Sequence, residues 1–290
     1  MEMDNNKESL VGRLFGSSIG YMRRFIFSVL SVGPIPNHLA FILDGNRRYA
    51  RKWNLGEGKG HRAGFLSLMS LMKYCYELGV KYVTIYAFSI DNFKRRPDEV
   101  QSVMDLMLEK IEGLLKEENI VNQYGVRVYF IGDLNLLSET VRLAAEKAMK
   151  ATSNNDKSIL LICVAYTSTD EIVHAAQESC EDKWHEVQSR MKTNDAQNGE
   201  NGKGKLGENH VIKLADIERN MYMGVAPDPD ILIRSSGETR LSNFLLWQTS
   251  NCLLYSPKAL WPEVGLHHLV WAVLNFQRVH TELQKRRRQL

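Results

Sequence analysis

The chain has 290 residues, of which 44% are hydrophobic and 24% are charged, as in an ordinary globular protein. The formal net charge is +3, and Lys and Arg are densely clustered only at Lys285–Arg288, so the composition does not favour a nucleic-acid-binding protein. No stretch approaches the roughly 20 apolar residues of a membrane-spanning helix. The cysteines have no paired spacing and the histidines form no HExxH pattern. We therefore expect neither a disulfide framework nor a zinc site.

The first 33 residues predict an amphipathic N-terminal segment. Val11, Phe15, Met22, Phe25 and Val29 fall near one face of a helix, and arginines lie among the other positions. Such a helix is compatible with a membrane surface, a partner protein or its own domain as the docking surface. The pattern leaves these three alternatives open.

From residue 34 onward, short apolar runs alternate with amphipathic stretches. The apolar runs predict strands over Leu39–Leu43, Tyr82–Phe88, Val126–Ile131, Ile159–Ala165 and Ile231–Ile233. The helical periodicity predicts helices over Ala63–Leu78, Glu99–Asn119, Glu139–Ala151, Asp170–Met191, Leu214–Asn220, Ser242–Thr249 and Glu263–Arg286. This alternation predicts a single α/β domain with a central, mostly parallel sheet flanked by helices.

One segment, at about residues 192–209, interrupts the alternation. It is rich in Asn, Gly, Lys and Glu and nearly free of large apolar side chains. Such a composition cannot bury enough surface to order itself, so we expect a flexible surface insertion between two helices.

Polar clusters follow four of the predicted strands. They are Asp44-Gly45-Asn46-Arg47-Arg48, the group Ser89, Asp91, Asn92 and Arg95, the pair Gly132-Asp133, and the run Arg234–Arg240. Parallel strands end at one edge of a sheet, and open α/β sheets bind ligands at that edge. We therefore expect these clusters to converge.

The chemistry of this edge points to phosphate. Arg48, Arg95, Arg234 and Arg240 offer guanidinium forks that bind phosphate oxygens in pairs. A single carboxylate, Asp44, suits a Mg²⁺ ion that keeps several waters and bridges to substrate phosphates. Taken singly, a strand-end aspartate is also typical of a helix cap, and an arginine of a surface ion pair. The nucleotide-binding patterns GxxxxGK[ST] and GxGxxG are absent.

Two predicted helices are unusually lipophilic and carry methionines. Their apolar side chains are Phe65, Leu66, Leu68, Met69, Leu71 and Met72 in one, and Val100, Val103, Met104, Met107, Leu108, Ile111, Leu114 and Leu115 in the other. Ordinary core packing explains such faces, and so does an adaptable apolar groove. A groove beside a phosphate-binding edge would suit a diphosphate with a hydrocarbon tail.

Four motifs resemble the cis-prenyltransferase family, which includes bacterial undecaprenyl diphosphate synthases and eukaryotic dehydrodolichyl diphosphate synthases. They are HLAFILDGNRRYA at His38–Ala50, GHRAG at Gly60–Gly64, YAFSIDNFKR at Tyr86–Arg95 and DILIRSSGETRLSNFLLWQ at Asp230–Gln248. The resemblance runs in order from about residue 34 to residue 280 and is of the eukaryotic, plant-like type. It implies a catalytic domain over residues 34–290 with a hydrophobic product tunnel. The DDxxD motifs of trans-prenyl synthases are absent.

The resemblance also implies residue roles. Asp44 would hold Mg²⁺ against the allylic diphosphate, and Asp44, His61 and Asn92 would be catalytic. The other site residues would surround the substrates: Gly45, Asn46 and Arg48 at the allylic diphosphate, Ser89, Phe93 and Arg95 in the pockets of the two substrates, and Arg234, Arg240 and Ser242 at the diphosphate of isopentenyl diphosphate. The proton acceptor is left open between a substrate phosphate oxygen and a network linked to Asn92.

The implied reaction condenses isopentenyl diphosphate onto an allylic diphosphate, with farnesyl diphosphate as the expected primer. The product would be a long-chain, dehydrodolichyl-type Z-polyprenyl diphosphate for dolichol synthesis and protein glycosylation. One alternative is a non-catalytic scaffold subunit of the same family, but scaffolds usually lack the first-motif aspartate and the arginines that this chain keeps. A short-chain Z-prenyl diphosphate synthase is the other alternative.

The sequence departs from the family pattern at several positions. Leu253 or a neighbour stands where bacterial members carry a metal-binding acid, and Glu57 replaces an arginine. The segment after the fourth strand reads Ala165-Tyr166-Thr167-Ser168 instead of a glycine pair, and residues 284–290 contain no RxG motif. These departures imply the catalytic half of a heteromer whose Nogo-B-receptor-like subunit supplies RxG and membrane attachment. We therefore expect a peripheral location on the cytosolic face of the endoplasmic reticulum. The alternative is a chain that is active alone.

Overall fold

The computed structural model describes residues 20–56, 58–114, 120–195 and 211–288. Six strands form one sheet in the order β3-β4-β2-β1-β5-β6, and every neighbouring pair is parallel. The strands are β1 His38–Ile42, β2 Tyr82–Ser89, β3 Val126–Ile131, β4 Ser158–Tyr166, β5 Ile231–Arg234 and β6 Leu253–Tyr255.

Helices connect the strands. They are α1 over residues 20–30, α2 Asn46–Lys52, α3 Lys59–Leu78, α4 Pro97–Leu114, α5 Ile120–Tyr124, α6 Glu139–Ala151, α7 Ser168–Asp195, α8 Leu214–Asn220 and α9 Leu266–Arg287. Short 3₁₀ turns span Ile90–Lys94, Leu134–Leu136, Tyr222–Val225 and Trp261–Glu263. None of the described helices is both long enough and apolar enough to cross a bilayer.

The sheet is buried on both faces, which explains the continuous apolar runs. All five residues of β1 are buried, with Leu39 and Phe41 in the hydrophobic cluster on one face and Ala40 and Ile42 in the cluster on the other. Successive side chains of a strand point to opposite faces, so a strand covered on both sides has no polar alternation. The predicted α/β class and the parallel sheet are confirmed.

The predicted strands are all present, and β6 is an addition. β6 has only three residues and pairs with β5 at the edge of the sheet, with Ile231 opposite Leu253. A run this short carries no periodicity that separates it from a loop. α6 and α8 have the predicted bounds.

The predicted helix over Ser242–Thr249 is wrong. Ser242, Asn243 and Leu245 have φ of 51°, 57° and 47°, in the left-handed region that a right-handed helix does not visit. A single helical turn remains, in which the Thr249 N–H donates to the Leu245 carbonyl at 3.0 Å. The apolar spacing of this stretch comes from side chains that anchor an irregular loop.

The predicted insertion begins later than the composition indicates. α7 continues to Asp195, so residues 192–195 are helical. The remainder of the predicted segment, residues 196–209, lies outside the described residues.

The described part of the N-terminal segment packs on the domain through one face. Phe27 and Leu30 of α1 are buried, and Arg23 pairs with Glu77 of α3 at 2.7 Å. The opposite face leaves large apolar side chains in solvent, among them Phe25, which is 70% exposed, and Tyr21. Of the three docking alternatives, packing on its own domain is therefore confirmed for one face. The other face is left exposed by the residues that the structure describes.

Candidate active site

A cavity of about 770 Å³ begins at the carboxyl edge of the sheet and continues between α3 and α4. Its polar lining consists of Asp44, Asn46, Arg47, His61, Ser89, Asp91, Asn92, Arg95, Lys110, Arg234, Arg240, Ser242 and Asn243. Its apolar lining comes from α3, α4 and the strands, and includes Phe65, Leu68, Met69, Val103, Leu106, Met107, Ile111, Leu114, Phe130, Leu160 and Ile162. Three of the four strand-end clusters and the two lipophilic helices thus share one cavity. The fourth cluster, Gly132-Asp133, does not join them and lines a separate pocket with Asp170, His174 and Tyr222.

Asp44 lies at the polar end of this cavity between two arginines. Its Oδ1 accepts a hydrogen bond from Arg48 Nη2 at 3.0 Å, and its Oδ2 accepts one from Arg234 Nη2 at 2.8 Å. Partial burial opposes ionisation, but the hydrogen bonds from Arg234 and Arg48 outweigh it and hold the pKa of Asp44 below its ordinary value. The carboxyl group is therefore an anion at neutral pH.

The backbone of Asp44 is fixed by the strands and loops around it. Its carbonyl accepts hydrogen bonds from the hydroxyls of Ser235 and Ser236, at 2.7 and 2.8 Å, and from the Trp261 N–H at 2.9 Å. The next residue, Gly45, has φ of 109°, and a Cβ at that position would come within 2.5 Å of Ser236 Oγ. Glycine is thus required for the chain to turn from β1 into α2 here.

Arg234 ends β5 and is the most buried cation of the site. Its side chain is 6% exposed. Besides Asp44, Nη1 donates to Ser242 Oγ at 2.7 Å and to the Arg240 carbonyl at 2.5 Å. Its Nε–H is buried without a partner within the described residues. An arginine so restrained presents its charge in one fixed orientation.

Arg240 and Arg48 flank this centre and share an acidic partner that sequence reasoning missed. Glu238 accepts from Arg240 Nη1 at 2.5 Å and from Arg48 Nη1 at 3.5 Å. Its position in the sequence, between the predicted phosphate-binding residues Arg234 and Arg240, could have identified it. Both arginines remain substantially exposed. They are therefore accessible to an anion that displaces the carboxylate.

The close contact of α2 with α3 positions Asn46. Its Nδ2 donates to the Leu43 carbonyl at 3.1 Å, and its Oδ1 is buried without a partner in the described structure. A Cβ on Gly64 of α3 would lie 2.1 Å from that oxygen. The GHRAG motif therefore needs its second glycine so that α3 can approach the Asn46 side chain.

His61, also on α3, lines the cavity beside further arginines. Burial lowers the pKa of His61, and the nearby charges of Arg95 and Arg47 lower it further. Both arginines pair with Glu99, at 3.0 and 3.2 Å, a second acidic partner not singled out in the sequence. His61 is thus neutral at neutral pH and is available as a hydrogen-bonding group.

Ser89 and Asn92 cap the 3₁₀ turn after β2. The Ser89 N–H donates to Asn92 Oδ1 at 3.2 Å, and the Asp91 N–H donates to Ser89 Oγ at 3.2 Å. These contacts fix both side chains at the cavity wall. Phe93 instead packs edge-on against Phe88, with ring centroids 4.9 Å apart, and does not line the cavity.

The structure thus brings together most of the predicted site residues. Lining the cavity are Asp44, Asn46, His61, Ser89, Asn92, Arg95, Arg234, Arg240 and Ser242. Gly45 and Arg48 are not part of this lining but lie next to Asp44, and Phe93 packs against Phe88 instead. Trp261, which sequence reasoning missed, lines the cavity, donates from its backbone to Asp44 and from its indole to the Gly64 carbonyl at 2.9 Å.

The position of Leu253 is also defined. It begins β6, is partly buried against the core, and its N–H donates to the Asp230 carbonyl at 2.9 Å. It contributes no oxygen ligand from its side chain, in contrast to the acid that the family pattern leads one to expect.

Known proteins match this chain along almost its whole length. A family model described as putative undecaprenyl diphosphate synthase matches residues 42–284. A dehydrodolichyl diphosphate synthase of Solanum lycopersicum is 61% identical, with both chains covered completely. A dehydrodolichyl diphosphate synthase complex subunit of Homo sapiens is 41% identical over 91% of this chain and 74% of its own length.

A solved structure agrees with these sequence matches. Lavandulyl diphosphate synthase from Lavandula x intermedia, crystallised with dimethylallyl diphosphate, aligns with a TM-score of 0.70 and 28% identity. The alignment covers 84% of this chain and 95% of that one. The four motifs, the cavity at the sheet edge and the match over residues 42–284 lead to one conclusion: the chain belongs to the undecaprenyl diphosphate synthase family, the cis-prenyltransferases.

Proposed function

We propose that this chain condenses isopentenyl diphosphate onto an allylic diphosphate, with farnesyl diphosphate as the primer, and makes a long-chain Z-polyprenyl diphosphate for dolichol synthesis. The observation that carries the proposal is the single cavity with a cationic end and an apolar remainder. An allylic diphosphate has the same division into a charged head and a hydrocarbon tail. Catalysis assigned to Asp44, His61 and Asn92 is part of the proposal.

The charges at the cationic end suit the bond changes of this reaction. The allylic C–O bond breaks and leaves its electron pair on diphosphate, the double bond of isopentenyl diphosphate attacks the allylic carbon, and a proton is lost to give the new double bond. Arg48, Arg234 and Arg240 stabilise the negative charge of the two diphosphates. Holding both substrates in one cavity removes much of the entropic barrier of a bimolecular reaction.

The residues present fit Mg²⁺. Asp44 offers a partly exposed carboxylate, and one carboxylate together with substrate phosphate oxygens and waters is an ordinary ligand set for this ion. Within the described residues there is no group of three or more His, Cys, Asp and Glu side chains that would cage a metal. When bound, Mg²⁺ would supply positive charge to the leaving diphosphate. Asp44 would bind the ion, and to do so it would give up its hydrogen bond with either Arg48 or Arg234.

We propose that the growing chain occupies the apolar part of the cavity, which acts as the product tunnel. Its walls are side chains of α3 and α4, and its floor is formed by strand residues such as Phe130, Leu160 and Ile162. Methionines at Met69 and Met107 give the wall adaptable side chains. Residues 34–290 would form the catalytic domain and residues 1–33 an N-terminal segment.

We also propose that the chain works with a Nogo-B-receptor-like, RxG-bearing subunit, peripherally at the cytosolic face of the endoplasmic reticulum membrane. The relative in Homo sapiens is named as a complex subunit, which supports a partner. Leu253 in place of a metal-binding acid also supports a site that another chain completes. The exposed apolar face of α1, with Tyr21 and Phe25 beside Arg24, suits a membrane or partner surface.

One assay tests the function. Labelled isopentenyl diphosphate, farnesyl diphosphate and Mg²⁺ are incubated with the chain, with and without the RxG-bearing subunit, and product length is measured by chromatography. We expect long Z-polyprenyl diphosphate, and at least about a tenfold higher kcat with the subunit. Products in which the primer is extended by only one or two isoprene units would support the short-chain alternative. No turnover, despite formation of the complex, would support the scaffold alternative and refute the proposal.

A further inference from the structure

Residues 240–246 form an irregular loop, called here the 240–246 loop. It contains the cavity-lining residues Arg240 and Ser242 and the buried Phe244. Ser242, Asn243 and Leu245 all have positive φ. Such conformations cost free energy in residues other than glycine and persist only where the surroundings hold them. The loop nevertheless places Ser242 Oγ 2.7 Å from Arg234 Nη1. Something outside the loop must therefore impose its shape.

The start of α7 supplies that restraint. The Ser168 N–H donates to the Asn243 carbonyl at 2.8 Å, and Ser168 Oγ accepts from the Leu246 N–H at 2.9 Å. Thr169 donates to Asn243 Oδ1 from both its N–H and its hydroxyl, each at 3.1 Å. Two adjacent residues of α7 thus hold the loop on both sides of Phe244.

An aromatic stack adds a third contact to those of Ser168 and Thr169, and the three together are called here the clamp. Phe244 is fully buried and stacks on Tyr86 of β2, with centroids 4.4 Å apart. The Tyr86 hydroxyl donates to the Tyr166 carbonyl, immediately before the Thr167-Ser168 pair. The Tyr86 hydroxyl also donates to the Ser242 carbonyl over a longer distance, 3.5 Å, and the ring stack fixes the centre of the loop. Neither of these contacts involves Asn243 or Leu246. Those two positions depend on Ser168 and Thr169.

This arrangement explains one of the departures noted in the sequence. Where the family pattern has a glycine pair after the fourth strand, this chain reads Ala165-Tyr166-Thr167-Ser168. A glycine has no hydroxyl and could not accept the hydrogen bond from the Leu246 N–H. Ser168 is fully buried, so no water would replace its hydroxyl at that position.

We propose that Ser168 and Thr169 are positioning residues that set the affinity of the site for the homoallylic diphosphate, by holding Ser242 against Arg234. The proposal rests on the proposed function. Neither residue lines the cavity, so both act through the 240–246 loop. Losing either contact lets the loop relax from its left-handed conformation and moves Ser242 away from the arginine.

The test compares Ser168→Ala, Thr169→Val and Thr169→Ser in the full-length chain. Removing one such hydrogen bond changes an equilibrium by about fivefold. We expect Ser168→Ala to raise the KM for isopentenyl diphosphate by about fivefold, with kcat and the KM for farnesyl diphosphate changed less than about twofold. Thr169→Val should act in the same direction by a smaller factor, because its hydroxyl is exposed and its N–H still donates to Asn243 Oδ1. Thr169→Ser keeps the hydroxyl and should keep the wild-type KM.

Two controls separate positioning from stability. Thr152→Val removes a buried hydroxyl that accepts the Val128 N–H at 3.1 Å, which is the same kind of hydrogen bond at the opposite end of the sheet. It should lower the melting temperature without changing either KM. In a Ser242→Ala background, Ser168→Ala should lose most of its effect, because the two residues act on the same contact.

Binding of inorganic diphosphate, measured by calorimetry, tests the clamp without turnover. If the wild-type chain transfers no prenyl group, the proposed function fails, and a Kd for diphosphate that still rises in Ser168→Ala and Thr169→Val supports the clamp. Unchanged KM and Kd in both variants would overturn it. So would equal effects on both substrates, an equal effect from Thr152→Val, or no diphosphate binding by the wild-type chain.

Discussion

Replacing Asp44 by Asn tests both the electrostatics and the chemistry of the site. The substitution keeps the shape of the side chain but removes the charge that faces Arg234 and Arg48. A hydrogen bond between charged groups contributes about 1.5–3 kcal/mol when it is buried. The Arg48 side chain is 44% exposed, so that pair contributes less than about 1 kcal/mol. Because Asp44 is itself 27% exposed, we expect a total loss of about 2 kcal/mol in the free energy of unfolding.

The loss in the free energy of unfolding should depend on pH, because it comes from the charge on Asp44. The folded-state pKa of Asp44 lies below the ordinary value of 3.8, so its contribution is fully present above that value and disappears as pH falls through the folded-state pKa. Urea unfolding of wild type and Asp44→Asn should therefore show a constant gap from pH 7 down to about pH 5, and a shrinking gap below about pH 4. A neutral amide is also a poor Mg²⁺ ligand, so prenyl transfer should be lost at every pH.

Two results would refute this reasoning. If Asp44→Asn is as stable as wild type, or the gap does not change with pH, the arginine pairs do not stabilise the fold. If the variant retains near-normal turnover, or if wild type is fully active in EDTA, Asp44 does not hold an essential metal.

Three further outcomes are expected. Arg234→Ala should raise the KM for isopentenyl diphosphate severely. Arg234→Lys should recover only part of the lost affinity, since an ammonium cannot make the paired contacts of a guanidinium. A wild-type kcat/KM in the alanine variant would show that Arg234 is purely structural. Met107→Trp should shorten the product, as measured by chromatography, because Met107 lines the cavity. The control Leu66→Trp should not, because Leu66 lies on the outer side of α3 and is 68% exposed. Equal shortening by both variants would contradict the proposed tunnel. Replacing residues 196–207 with a short Gly/Ser bridge should leave activity and the melting temperature nearly unchanged, because the segment has only one large apolar side chain. A cooperative loss of folding would contradict the inference, drawn from composition, that the segment does not contribute to the core.

The sequence predicts the sheet well because its signals are local. Each central strand is a continuous apolar run followed by polar residues, and burial on both faces demands that run. The polar clusters could be assigned to one edge because parallel strands all end there. From that topology alone, Asp44 and Arg234, 190 residues apart, were expected at one site, and their side chains meet at 2.8 Å.

The 240–246 loop could not be predicted in the same way. Leu241, Phe244, Leu245 and Gln248 have helical spacing, and a local pattern has no means of excluding a helix there. Its conformation is set by Ser168 and Thr169, more than 70 residues earlier in the chain. The acidic partners Glu99 and Glu238 were missed for a related reason. Each has one arginine partner nearby in the sequence, but their pairs with Arg47 and Arg48 join residues 52 and 190 positions apart and leave no local signal.

These acidic partners bear on how the site stays ready for its substrates. Arg234, Arg48 and Arg95 each pair with a carboxylate in the described structure, at Asp44, Glu238 and Glu99. Under the proposed function, the pairs would orient the guanidinium groups before a diphosphate arrives, which would lower the entropic cost of binding it. Binding would then be an exchange, because a phosphate oxygen would have to take the place of a carboxylate oxygen. Asp44 differs from the two glutamates in facing the most buried arginine, so its carboxylate cannot turn into bulk solvent as freely. A cation that takes up the charge of Asp44 would release Arg234 toward diphosphate, and this coupling explains why the carboxylate and the arginine belong to one site.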